Sequence, residues 1–86
     1  MKLSRDFLYH ESNGEVYLVP SGNAEFSGVV KGNKTFGEIL GLLREDTTEQ
    51  QIIDTLRKEY DDAPEGMIER DVRKAVENLR SVGAIE

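Results

Sequence analysis

Few residues in this sequence have a type and spacing that could support chemistry. His10 is the only histidine, and it lies beside Tyr9 in a β-favouring run, with no serine–acid pair in context. A catalytic or metal-binding histidine needs partners at a defined geometry, so we interpret His10 as an ordinary, half-exposed strand residue. The chain has no cysteine, which excludes disulfides, thiolate metal sites and cysteine nucleophiles.

Residues 28–35 approach the phosphate-loop pattern G-x-x-x-x-G-K-[ST]. Gly28, Lys34 and Thr35 match the pattern, but Asn33 occupies the place of the second glycine. That glycine lets backbone N–H groups surround a phosphate. The segment therefore predicts a strand-to-helix turn capped by Asn or Thr rather than a nucleotide site.

A small carboxylate cluster precedes the last third of the chain. Asp61, Asp62 and Glu65 do not have the spacing of a calcium-binding loop with its central glycine and late glutamate. Acidic residues before a helix are already explained by the helix macrodipole. The sequence thus predicts no catalytic residue, no metal site and no cofactor.

The elements that would position any site begin with strands. Residues 7–10 and 16–19 are β-favouring runs, and Asn13-Gly14 between them is a strong hairpin signal because both residues tolerate a positive φ. A third strand is predicted at residues 26–31. Together they predict a small antiparallel meander.

Three amphipathic helices are predicted to follow. The first begins at Thr35, through a capping box with Glu38, or at Asn33; the second begins near residues 47–48. The third covers about residues 65–82 and is followed by Gly83 at the C′ position. The apolar positions at helical spacing are Phe36, Ile39, Leu40, Leu43; Ile52, Ile53, Leu56, Tyr60; and Ile68, Val72, Ala75, Val76, Leu79, Val82.

Packing these helices on one face of the sheet predicts a single domain over residues 1–86. Its fold class is α+β: a three-stranded antiparallel sheet followed by three helices, in the order β-β-β-α-α-α, winged-helix-like. Gly37 and Gly41 lie four residues apart on one face of the first helix, and we expect close packing there.

The charge distribution bears on possible partners. The net charge is −6, and residues 45–65 hold eight acids against two bases. A nucleic-acid partner is not expected, because a binder needs a positive surface to release counterions from phosphates. No run approaches the roughly 20 apolar residues of a membrane span, and the N-terminus lacks an apolar signal segment. We expect a cytoplasmic protein that is a monomer or a weak homodimer.

An open sheet edge is the feature that could serve binding. If the third strand lies at an edge, its unpaired N–H and C=O groups could accept an extended peptide, and Gly28 and Gly32 would keep the backbone accessible. The alternative is that the third helix, or Lys31 and solvent, covers this edge.

Motifs along the helices resemble the PqqD-like family, the founding examples of precursor recognition elements for ribosomally synthesised and modified peptides (RiPPs). The similar motifs are Gly32-Asn33-Lys34-Thr35, Ile39-Leu40-Gly41-Leu42-Leu43, the set Thr48, Ile52, Leu56 and Tyr60, and the set Asp71-Val72, Leu79, Gly83 and Ala84-Ile85. The order and spacing of these motifs carry the resemblance over nearly the whole chain. Gly32 stands where the family usually has Leu, and Leu40 where it often has Trp.

The resemblance implies that the leader of a precursor peptide forms a strand beside the third strand, in a groove against the third helix. A step of 100° per residue places two flanks beside the core stripe of that helix, and the sequence leaves open which one faces the groove. Basic residues there would suit an acidic leader. One flank holds Asp71, Lys74 and Asn78; the other holds Arg73, Val76 and Arg80, with Arg70 further out. The predicted peptide contacts are Gly28, Val29, Val30, Lys31, Arg70, Asp71, Arg73, Lys74 and Asn78.

Three functional hypotheses follow. The first is a non-catalytic chaperone that binds a leader peptide by β-strand addition and presents it to a modifying enzyme, often a radical S-adenosylmethionine protein, in coenzyme PQQ-type or other RiPP biosynthesis. The second is a winged-helix DNA-binding regulator, against which the net charge argues. The third is a small enzyme or nucleotide-binding protein built on residues 28–35.

Overall fold

A tight hairpin opens the fold. In the computed structural model, which describes residues 1–22 and 28–86, Asn13 and Gly14 both have a positive φ, 52° and 79°. They join β1 (Phe7–Ser12) to β2 (Glu15–Pro20) in an antiparallel register. The predicted Asn-Gly hairpin is confirmed.

The third strand is shorter than predicted. β3 (Val30–Gly32) pairs antiparallel with β2 at the other side of the sheet, giving the strand order β1-β2-β3. Gly28 and Val29, predicted as strand residues, lie outside β3, and residues 26–27 lie outside the described part of the chain. The side chain of Val29 is 56% exposed, so extending the strand to this residue would gain little from apolar burial.

Three helices complete an α+β fold, which confirms the predicted fold class. They are α1 (Lys34–Leu42), α2 (Glu49–Glu59) and α3 (Met67–Ser81). α1 lies against β2, β3 and α3, whereas α2 packs mainly on α3. α1 therefore connects the sheet edge to the last helix.

Side-chain caps fix where the helices begin. Asn33 rather than Thr35 caps α1, since its Oδ1 accepts a hydrogen bond of 3.0 Å from the Phe36 N–H. This arrangement confirms the strand-to-helix turn predicted for residues 28–35. Thr48 and Gln51 form a capping box at α2.

α3 begins two residues later than predicted, after Gly66. Gly66 has a φ of 82°, so the chain turns there before the helix can start. Gly83 has a φ of 75° directly after the last turn, as expected for a C′ glycine.

One core joins the sheet to all three helices. Gly37 lies against β2, because a Cβ there would come within 2.7 Å of Val16 Cγ2, whereas a Cβ at Gly41 would meet nothing within 4 Å. Close packing is thus confirmed at Gly37 and wrong at Gly41. The buried apolar residues are Phe7, Val16, Leu18, Ile39, Leu40, Leu43, Ile52, Ile53, Leu56, Val72, Ala75, Val76, Leu79 and Ala84. Within residues 1–22 and 28–86, no helix combines the length and apolarity needed to cross a membrane.

Candidate functional site

A groove runs between the outer edge of β3 and α3, and the first turns of α1 close one end of it. Its volume is about 350 Å³. We call it the β3–α3 groove; it is lined by Val30, Lys31, Gly32, Asn33, Thr35, Phe36, Ile39, Asp71, Lys74, Ala75 and Asn78. Among the described residues no strand pairs with the outer edge of β3. In the part of the chain that the structure describes, the groove therefore lies beside backbone groups that no strand pairs with.

Four apolar residues contribute to the lining of the β3–α3 groove. Ile39 of α1 and Ala75 of α3 are buried in the core, while Phe36 of α1 and Val30 of β3 are half-buried. An apolar side chain placed over these residues would lose contact with water and gain contact with carbon.

The α3 side of the groove is polar. Asp71, Lys74 and Asn78 lie one turn apart on the helix, so a carboxylate, an ammonium and an amide follow one another along the groove. In the described part of the chain, none of these three side chains has a hydrogen-bond or ion-pair partner, and no Lys74–Asp71 salt bridge forms. A ligand that hydrogen-bonds to these side chains would therefore displace only water and would break no bond within the protein.

Lys31 also lines the groove, but its ammonium is already engaged. Its Nζ lies 3.0 Å from Glu15 Oε2, and Tyr17 Oη donates to the same oxygen at 2.6 Å. The hydrogen bonds from Tyr17 and Lys31 hold the pKa of Glu15 below its ordinary value, and the Glu15 carboxylate raises the pKa of Lys31. Lys74 is thus the cation of the groove without such a partner among the described residues.

The structure places five of the nine predicted contact residues in one groove. These residues are Val30 and Lys31 on β3 and Asp71, Lys74 and Asn78 on α3. Which flank of α3 faces the sheet edge, left open by the sequence, is settled by this geometry. The other four predicted residues do not line the groove: Gly28, Val29, Arg70 and Arg73, the last two of which are exposed elsewhere on α3.

Sequence reasoning missed the contribution of α1 to the groove. Asn33 and Thr35 were considered only as caps, and Phe36 and Ile39 only as core residues. The signal that could have found them is the short connection itself. A helix that begins directly after an edge strand must place its first turn at the end of any groove along that strand.

A second depression lies between the end of α2 and the start of α3. Its volume is about 380 Å³, and Arg57, Tyr60 and Glu69 are among its lining residues. We call it the α2–α3 cleft. Arg57 donates to Glu69 Oε1 from Nε at 2.8 Å and lies 2.7 Å from it through Nη2, while Tyr60 Oη donates to Glu38 Oε1 at 2.6 Å. Arg57 and Tyr60 are thus already hydrogen-bonded. Asp61 and Glu65 also line the cleft, and their exposed side chains have no partner among the described residues.

The other residues considered for chemistry are exposed to solvent. His10 is exposed on the far face of the sheet, where its ring centroid lies 6.4 Å from that of Tyr17. Asp61, Asp62 and Glu65 are exposed. No group of three or more His, Asp or Glu side chains in residues 1–22 and 28–86 is arranged to hold a metal ion.

Comparison with known proteins gives a family. The family pattern of coenzyme PQQ synthesis protein D (PqqD) matches residues 8–85, nearly the whole chain. The chain belongs to the PqqD family. The family resemblance predicted from the helical motifs is therefore confirmed.

A solved structure shares the fold of this PqqD-family chain. It is described as "TbiB1 in Complex with the TbiA(beta) Leader Peptide", and it superposes with a TM-score of 0.78 over 100% of this chain and 95% of that chain, at 23% sequence identity. At this identity the likeness concerns the fold. No curated protein sequence matches the chain significantly.

Proposed function

We propose that this PqqD-family protein binds the leader of a ribosomally made precursor peptide in the β3–α3 groove and presents it to a modifying enzyme. It would have no catalytic activity of its own. The observation that carries the proposal is the juxtaposition of an open strand edge with three side chains, Asp71, Lys74 and Asn78, that lack partners within the described chain. Family membership and the leader peptide present in the TbiB1 structure support it.

Binding would proceed by β-strand addition. The backbone groups on the outer edge of β3 would pair with those of the leader, which becomes a fourth strand. Because β3 has only three residues, its backbone bonds alone give modest affinity. The side-chain contacts across the groove must then supply much of the specificity.

The groove indicates what kind of leader fits. Successive side chains of a bound strand point to opposite faces, so every second residue of the leader would enter the groove. One such residue would lie on the apolar side over Phe36 and Ile39, and an acidic residue would pair with Lys74. Arg70 and Arg73 are exposed outside the groove and would contribute only long-range attraction to an acidic leader.

Presentation requires a partner enzyme. Holding the leader on a small carrier that also contacts the enzyme raises the effective concentration of the core peptide at the active site. We propose a radical S-adenosylmethionine protein as the partner, in keeping with the family resemblance. This division of tasks needs no catalytic residue in the present chain.

The first experiment is an amide-shift NMR titration with the leader of a precursor peptide encoded beside this gene. We expect saturable shifts concentrated on Val30–Gly32 and on Asp71, Lys74 and Asn78, while residues of the α2–α3 cleft such as Arg57 remain unshifted. Absence of shifts at millimolar peptide would contradict leader recognition.

An N-methyl scan of the same leader tests the mode of binding. In an antiparallel pair only alternate residues direct their N–H groups toward a given neighbour. N-methylation at every second position of the bound stretch should therefore lower affinity about tenfold or more, and methylation at the intervening positions should have a smaller effect. The matched control is N-methylation outside the stretch that shifts in the titration. Equal tolerance at all positions would rule out strand addition, even if the leader binds.

A further inference from the structure

At Gly32, the last residue of β3, the side chain of a neighbouring residue, and not a positive φ, explains why glycine is needed. Gly14, Gly66 and Gly83 have a positive φ, which favours glycine, whereas the φ of Gly32 lies outside that range. A Cβ built on Gly32 would lie 2.2, 2.5 and 2.7 Å from Cδ2, Cγ and Cβ of Phe36. The ring of Phe36 therefore lies directly against the α-carbon of Gly32.

The backbone of Phe36 is held in this position from two sides. Its N–H donates to the side chain of Asn33 at 3.0 Å, which fixes the first turn of α1. Gly37, the next residue, packs against Val16 of β2, which fixes the distance between α1 and the sheet. A side chain at position 32 would require the ring to leave its place and, because Phe36 Cβ would be only 2.7 Å away, the start of α1 or β3 to shift as well.

The ring of Phe36 also faces the β3–α3 groove. It is half-buried and lines the groove together with Ile39 and Ala75, both nearly inaccessible to water. The ring thus forms the more exposed part of an apolar surface that Ile39 and Ala75 of the core complete. It lies at the end of β3, where a strand added to the sheet edge would pass.

We propose that Phe36, seated on Gly32, is the residue that determines which leader side chain the groove accepts, and that it selects a large apolar one. This inference rests on the proposed leader recognition and deepens it. Contact with the ring rewards a large side chain, because carbon surface on both partners is removed from water. Gly32 acts through Phe36 and is a positioning residue.

The test is a set of leader peptides that differ only at the residue contacting Phe36, with Ala, Leu or Phe at that position. The contacting residue is found from nuclear Overhauser contacts to the Phe36 ring. We expect the unmodified protein to bind the Leu and Phe peptides about tenfold more tightly than the Ala peptide. In Phe36→Ala this preference should fall to about twofold or less, whereas Phe36→Leu should keep most of it.

A variant at position 32 tests the positioning role of Gly32, and a control at position 42 separates an effect on specificity from an effect on stability. Gly32→Ala keeps Phe36 but displaces its ring together with the backbone at the start of α1 or in β3, so the preference for large side chains should fall here too. Leu42→Ala is the matched control, since Leu42 is another half-buried apolar residue of α1 but does not line the groove. It should lower the thermal unfolding temperature and leave the preference unchanged.

The outcomes are distinguishable. If the peptides bind in the groove with the same preference to the unmodified protein and to Phe36→Ala, the inference about Phe36 is wrong and leader recognition stands. If no leader binds to the unmodified protein, both are wrong. Circular dichroism confirms that each variant is folded before its affinities are compared.

Discussion

Two depressions of nearly equal size differ in how their polar groups are bonded. The β3–α3 groove measures about 350 Å³ and the α2–α3 cleft about 380 Å³. In the cleft, Arg57 is bonded to Glu69 and Tyr60 to Glu38. In the groove, the side chains at positions 71, 74 and 78 have no partner in the described chain. Volume alone would not distinguish the two.

The two depressions differ in the free-energy cost of freeing their polar groups for a ligand. To bind Arg57, Tyr60 or Glu69 in the cleft, a ligand must replace existing intramolecular bonds, and the net gain is small. Among the described residues, only the exposed carboxylates of Asp61 and Glu65 are free of such bonds there. In the groove the ligand replaces water, and the open edge of β3 offers backbone groups in addition. The groove is therefore the better candidate for binding.

The largest effect expected from the difference between groove and cleft is at Lys74. Lys74→Glu places a negative charge in the groove, and we expect the affinity for an acidic leader to fall about tenfold, with a smaller difference at high salt. The matched control is Lys58→Glu, which makes the same charge change at an exposed position of α2 and should alter affinity less than about twofold. Isothermal titration calorimetry at two salt concentrations measures both. Equal losses in the two variants would mean that only the overall charge matters.

A smaller effect is expected from the cleft. Arg57→Met removes the bond to Glu69, and because the Arg57 side chain is 56% exposed, we expect a loss of about 0.5 kcal/mol in the free energy of unfolding. Leader affinity should stay within about twofold of the unmodified protein. Urea unfolding followed by circular dichroism gives the first quantity, and titration gives the second. A marked loss of leader affinity in Arg57→Met would move the binding site to the cleft.

Local signals in the sequence predicted most of the fold. Asn13-Gly14 and Gly83 each depend on neighbours within a few residues, and both are found as predicted. The helix start predicted near residues 47–48 is found with Thr48 as the cap. Where two local signals competed, at Asn33 and Thr35, the sequence could not decide. Both side chains could cap the backbone, and only the exact end of β3 places Asn33 at the cap.

The groove depended on distant contacts, and the sequence predicted it only in part. Helical periodicity placed Asp71, Lys74 and Asn78 on one flank, but the direction in which α3 crosses the sheet decides whether that flank faces β3. Pairing with Leu18, Tyr17 and Val16 fixes β3 at Val30–Gly32, so the predicted contacts at positions 28 and 29 fall outside the groove. The contribution of Phe36 required knowing that Gly32 leaves room for its ring.

The smallest expected effect concerns two like charges, Glu38, which accepts the hydrogen bond of the cleft residue Tyr60, and Glu59. The Glu38 carboxyl raises the pKa of Glu59 above its ordinary value, first through a hydrogen bond to the protonated form and then through charge repulsion; Lys34 partly offsets this. Because the pKa is raised in the folded state, the stabilising contribution of Glu59 is present below its unfolded pKa and is lost as the pH rises through the folded value.

Glu59→Gln should therefore raise the unfolding temperature slightly at pH 7, and the gain should shrink as the pH falls and Glu59 becomes protonated. The matched control is Glu77→Gln, which makes the same charge change at an exposed position of α3. Differential scanning calorimetry from pH 4 to pH 8 measures both variants. A gain in Glu59→Gln that does not depend on pH, or an equal gain in Glu77→Gln, would show that relief of the overall negative charge, rather than the Glu38–Glu59 pair, is responsible. Leader affinity should be unchanged in both variants, since neither residue lines the groove.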